Sequence, residues 1–148
     1  MKYKEIKKEW DKLTEGWFGN IIYLILGFVI AYLVNIGLGY ALNTDTPVVA
    51  VFSESMVPTF FKGDMMIVYG DKDVSVGDII VFDAPDRKYP IIHRIYGMNN
   101  GEIKTKGDHN QYVDPWIIYS KNLHGKAIIK VPLLGWVKIL FTEFTGIA

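Results

Sequence analysis

Ser53 and Ser55 stand two residues apart in Ser-Glu-Ser-Met-Val-Pro-Thr (residues 53–59), between the apolar stretch TPVVAVF and the turn Lys62-Gly63-Asp64. A serine leaving a buried strand at an irregular turn can show its hydroxyl and the neighbouring backbone N–H groups to a substrate. A hydroxyl is a weak nucleophile and needs a base near its operating pH, which an imidazole with an unperturbed pKa of about 6.5 can be. Three histidines are present. His93 lies in PIIHRIY, where strand alternation sets it on the face of Ile91 and Ile95, with Arg94 on the other. His109 falls in a turn, and His124 precedes a glycine that opens a strand; both read as solvated loop residues. The loop TKGDHNQYVDP supplies two carboxylates, Asp108 and Asp114, able to orient a histidine. From these residues alone the serines also fit ordinary turn positions, and His93 fits a core histidine bonded to backbone. A metal site from His93, His109, Asp108 and Asp114 lacks any H-E-x-x-H or comparable spacing, so no metal and no cofactor are expected.

Two kinds of element must position these groups. No charged residue occurs between Glu15 and Asp45, and Ile21–Leu42 has Asn35 as its only strongly polar side chain. As a helix those residues would extend about 33 Å, enough for a hydrocarbon core of about 30 Å. A membrane helix is expected over residues 19–43. A cleavable signal peptide would have an apolar region of only about 7–15 residues and a small-x-small site after it, which this segment lacks. Lys2, Lys4, Lys7, Lys8 and Lys12 precede the helix, and no Lys or Arg follows until Lys62. The positive-inside rule therefore makes residues 1–18 a cytoplasmic segment and 44–148 an extracytoplasmic domain. Trp17 and Phe18 at one end and Tyr40 at the other suit the two interfaces.

After the helix come short runs rich in Val, Ile and aromatics: 46–52, 65–69, 78–82, 91–96, 102–105 and 125–131. Turn chemistry at Gly63-Asp64, Gly77-Asp78, Asn99-Asn100-Gly101 and Gly107-Asp108 separates several of them, as in a small antiparallel β-domain. The fold class is mainly β with one N-terminal transmembrane helix. The last stretch, VPLLGWVKILFTEFTGIA, is too short and too interrupted to cross a bilayer; it is expected to pack on the β-domain or lie at the membrane surface. With 148 residues there is no room for a second enzymatic domain. Sixteen basic residues balance sixteen acidic ones without a basic stripe, which argues against nucleic acid as a partner. The absence of cysteine removes disulfides and thiolate chemistry.

Four segments in one order, 53–59, Gly77–Phe82, His93-Arg94-Ile95, and 105–110 with Asp114, resemble the sequence boxes of type I signal peptidases. The likeness covers about residues 48–131 and the anchor. Where the bacterial branch of that family has a lysine base before the arginine of the third box, this chain has His93, so it resembles the archaeal and endoplasmic-reticulum branch. The resemblance implies Ser55 as nucleophile, His93 as general base, Asp114 as the aspartate that holds it, Asp108 as a second important carboxylate, and Ser53 as an oxyanion donor. It also implies secretory preproteins as substrates, bound extended with small residues before the cut, and accessory membrane subunits as partners beside the lipid bilayer. The location implied is the cell membrane or the endoplasmic-reticulum membrane. His109 departs from the asparagine more usual there. Phe52, Met56 and Phe82 are the expected pocket residues. Two rival readings keep the strands: a catalytically silent, membrane-tethered peptide-binding module, and a serine–lysine protease with Lys62, Lys88 or Lys106 as base.

Overall fold

The computed structural model describes residues 2–14 and 16–146, and these form two compact units, residues 1–38 and 39–148. The first unit holds α1 (Lys2–Thr14) and most of α2 (Gly16–Ala41). α2 is the one helix among the described residues that is long and apolar enough to cross a membrane; at about 1.5 Å per residue it measures about 39 Å. It starts a few residues ahead of the expected 19–43 and stops at Ala41. There Asn43 takes a left-handed φ of 52° while the Asn43 and Thr44 N–H groups donate back to Tyr40 and Gly39 carbonyls. Asparagine tolerates that conformation, which closes helices. α1 falls within residues 1–18, a stretch for which no element was expected.

The second unit is a six-stranded antiparallel sheet, fulfilling the expected fold class. Its strands are β1 (Val48–Ala50), β2 (Met65–Tyr69), β3 (Ile79–Phe82), β4 (Ile91–Asn99), β5 (Glu102–Lys106) and β6 (Leu123–Val131), in the spatial order β1-β2-β6-β3-β4-β5. Every pairing is antiparallel. All six occur where alternation and turn residues predict them. β1 is shorter than 46–52 because Val51 already bonds irregularly to the Gly63–Asp64 turn. β4 runs longer, because Asn100 (φ 48°) and Gly101 (φ 82°) make a two-residue hairpin of the positive-φ type that joins it directly to β5.

The sheet buries residues on both faces. Val49, Met66, Val68, Val81 and Ile92 pack with Val51, Met56 and Phe60 on one; Ile80, Phe82, Ile95, Ile103 and Leu123 pack with Val74, Ala84 and Ile118 on the other. β3 serves both by period-2 alternation, Val81 to the first and Ile80 and Phe82 to the second. The C-terminal stretch forms α3 (Gly135–Thr145), which packs against β1 with Gly135 and Ile139 buried, the first of the two placements expected for it.

His124 is not a solvated loop residue. It lies in β6 with Nδ1 3.1 Å from the Thr46 hydroxyl and Nε2 3.0 Å from the Asp83 carboxylate. Its carbonyl accepts from the Thr44 hydroxyl at 2.9 Å, and the Gly70 N–H donates to the Leu42 carbonyl at 2.8 Å. The chain following α2 is thereby fastened to the sheet.

Candidate active site

The segment that carries the serines is a coiled loop. The Val57 N–H donates to the Glu54 carbonyl and the Phe60 N–H to the Met56 carbonyl, and the side chains of Met56 and Phe60 sit in the core. Val51 and Met56, both buried, flank the exposed polar stretch and fix the backbone on either side of Ser55. From the other side, the His109 N–H donates to the Ser55 carbonyl at 2.8 Å. The approach is so close that a Cβ on Gly107 would fall 2.6 Å from that carbonyl oxygen, a separation only glycine avoids.

His93 is held at mid-strand in β4, paired in register with Ile80 and buried. Its Nε2 lies 2.9 Å from the Ser55 hydroxyl and its Nδ1 2.6 Å from Asp114 Oδ2. Asp114 follows β5, where its N–H donates to the Thr105 carbonyl at 2.9 Å. The Thr105 hydroxyl donates to the same Oδ2 at 2.7 Å. A carboxylate accepting from Nδ1–H fixes the tautomer that leaves Nε2 free to take the serine proton, and stabilises the imidazolium that results. Ser53 Oγ lies 3.1 Å from Ser55 Oγ, beside any charge that develops there.

Thr105, wholly buried, escaped the sequence reading. Its signal was its parity: in EIKTK it shares the inward face with Ile103, and a hydroxyl at a core position must find an acceptor.

Asp108 is not a ligand of the histidine. It accepts two hydrogen bonds from the Arg94 guanidinium, at 2.8 and 2.7 Å, and one from the Thr59 hydroxyl. Arg94 also donates to the Gly77 carbonyl at 2.9 Å. The pair therefore clamps the serine loop, β4 and the turn before β3 together. Arg94, and then Thr59, hold the Asp108 carboxyl below its ordinary range; Asp108 in turn raises Arg94. A carboxyl depressed in the folded state adds stability that is present above the unfolded value of about 3.9 and is lost as pH falls through the folded value. Arg94 is more than a third exposed, so Asp108→Asn is expected to cost about 1–2 kcal/mol at neutral pH. That difference should shrink below about pH 4, where carboxylates protonate. Denaturant unfolding of the two proteins at neutral and acid pH checks this; an equal gap at both would place the cost elsewhere.

Ser53, Ser55, His93 and Asp114 open on a pocket of about 520 Å³. Phe52 and Met56 line it as expected. Phe82 does not: its side chain is fully buried in the opposite core, since at the end of β3 it shares parity with Ile80. Tyr89 and Trp116 take that part instead, with Tyr89 stacked on Phe52 at a centroid distance of 6.3 Å. They come from loops whose path no local pattern reveals.

A serine, a histidine and an aspartate joined in one hydrogen-bonded row at a pocket on a β-scaffold form the constellation of a hydrolase that attacks acyl groups. Comparison with known proteins narrows this class. The family described as "Signal peptidase, peptidase S26" matches residues 21–127. The chain is 35% identical over 130 residues to the signal peptidase complex catalytic subunit SEC11 of Scheffersomyces stipitis, covering 78% of each. It is 30% identical over 158 residues to the sec11 subunit of Schizosaccharomyces pombe, covering 84% of this chain and 82% of that one. With the SEC11C subunit of Canis lupus familiaris it shares 30% over 143 residues, covering 84% and 74%. The chain belongs to the signal peptidase family and is a peptidase of that class.

Proposed function

We propose that this chain is a membrane-anchored serine endopeptidase that removes N-terminal signal peptides from secretory preproteins. The observation that carries the reading is the row Ser55–His93–Asp114, at 2.9 and 2.6 Å, facing the pocket. His93 Nε2 takes the Ser55 proton as Oγ attacks the scissile carbonyl. Ser53 and backbone N–H groups receive the negative charge on the carbonyl oxygen. The imidazolium then protonates the leaving amine, and water, activated by the same nitrogen, releases the acyl group from Ser55.

A preprotein would bind extended, as an added strand, gripped through its backbone, with small side chains before the cut. The lysines ahead of α2 favour a cytoplasmic N-terminus, with the β-domain acting on the far side, at the cell membrane or the endoplasmic-reticulum membrane. Relatives named as catalytic subunits of a signal peptidase complex support accessory membrane subunits as partners. A lysine base finds no support: Lys62 lies over the Trp136 ring and Lys88 over Tyr89, and among the described residues Ser55 Oγ bonds to His93 and Ser53. A silent binding module would have no use for the aligned row.

The test is the full chain, purified in detergent and mixed with one preprotein, the products being read by mass spectrometry. A single cut after a small residue at the signal junction is expected. Scattered cuts, or none while the folded state persists, would refute the assignment.

A further inference from the structure

α1 carries two opposed stripes. Tyr3, Ile6 and Trp10, at the i, i+3, i+7 spacing of one helix face, are 77%, 66% and 42% exposed. Lys4, Lys8 and Lys12 recur every four residues on the far side, while Lys7 borders the apolar stripe. Five lysines stand against three acidic residues in thirteen.

α1 is also turned aside from α2. On one continuous helix Trp10 and Tyr23 would lie about 20 Å apart along the axis. Their rings meet edge to face instead, with centroids 6.3 Å apart, and Gly16 at the corner has a φ of +73°. Trp10 thus lies beside the second turn of the helix suited to cross the bilayer, not beyond its end. Trp17 and Phe18, packed at 4.1 Å, begin that helix with the aromatic residues that settle at headgroup depth.

We propose that α1 is an interfacial helix. It lies on the bilayer surface on the N-terminal side with Tyr3, Ile6 and Trp10 in the acyl boundary and its lysines among anionic headgroups. A basic helix with a narrow aromatic and aliphatic stripe has the pattern of such elements. A lysine at the border, as Lys7 is, can lower its stem along the stripe and keep its ammonium group in the headgroups. The covalent corner at Gly16 keeps the helix at the surface, so a stripe of three side chains suffices where a free peptide would dissociate. An anionic surface is the occupant indicated by the lysine excess.

The proposal rests on α2 being the anchor, and the experiment separates the two. The chain has no cysteine, so single spin labels can be placed on the full protein by Tyr3→Cys, Ile6→Cys, Lys4→Cys, Lys8→Cys and, within α2, Val29→Cys. Each is reconstituted alone in vesicles of phosphatidylcholine containing phosphatidylglycerol. Collisions with oxygen, which collects in the bilayer, are compared with collisions with a water-soluble nickel chelate. The oxygen-to-chelate ratio is expected to be several-fold higher at positions 3 and 6 than at 4 and 8, and the contrast to weaken in phosphatidylcholine alone. Equally wet labels at all four positions, with position 29 buried, would overturn the interfacial helix, leave the anchor standing and point to a protein partner for the stripe. A wet position 29 would overturn both. A contrast unchanged in the neutral vesicles would overturn the role given to anionic lipid.

Discussion

Ser55→Ala is expected to abolish signal-peptide cleavage, with a fall in kcat/KM of at least about 10⁴-fold, while the unfolding midpoint barely moves. The substitution removes one oxygen from a partly exposed loop. The anchors that shape that loop, Met56 and Phe60 in the core and the His109 N–H on the Ser55 carbonyl, are untouched. Ser53→Ala should be milder, roughly 100 to 1000-fold, the usual cost of one oxyanion donor. Preprotein cleavage under single-turnover conditions, paired with a melting curve, distinguishes the two. If both variants lost activity equally and completely, the assignment of nucleophile and oxyanion donor would be wrong. If Ser55→Ala also unfolded the domain, the loop would be structural.

The second large effect concerns the base. Protonated imidazole cannot accept the Ser55 proton, so kcat/KM should decline on the acid side with the loss of a single proton acceptor. His93→Lys is expected to be nearly inactive, at a loss comparable to that of Ser55→Ala. The lysine would put an ammonium where Nε2 now sits 2.9 Å from Oγ, beside Asp114 and within the field of Asp108, which favour its charged and non-basic form. A pH–rate profile of both proteins on the same preprotein is the measurement. Substantial activity in the lysine variant, or a native profile with no acid-side loss of activity, would end the Ser55–His93 pairing.

What local pattern carries was readable before the structure. Alternation placed His93 on one face with Ile91 and Ile95, and the positive-φ chemistry of Asn100-Gly101 marked the hairpin that joins β4 to β5. Groups that depend on strand register were not readable. That Arg94 of β4 pairs with Lys106, which brings Asp108 within reach of the guanidinium, follows from the β4–β5 register and not from either segment alone. His124 meets Asp83 because β6 lies beside β3, a pairing of strands 40 residues apart. Phe82 was misplaced by proximity to a sequence box, although its parity with Ile80 pointed inward. In α1 the lysines were read only for orientation, and the three-residue apolar stripe between them was not considered.

The contacts that hold the serine loop bear on how substrates are chosen. The His109 N–H ties Ser55 to the loop that also carries Asp108 and Asp114, and the Arg94 clamp ties that loop to β4. Ser55, His93 and Asp114 are therefore held in a preorganised row by one connected set of hydrogen bonds within the β-domain. Such preorganisation removes a closure step as a checkpoint for the correct substrate. Discrimination then falls on the shape of the pocket walls and on whether a peptide can be presented extended. A transition-state analogue bearing a tetrahedral centre should accordingly bind this enzyme in one kinetic step, with no slow isomerisation behind it.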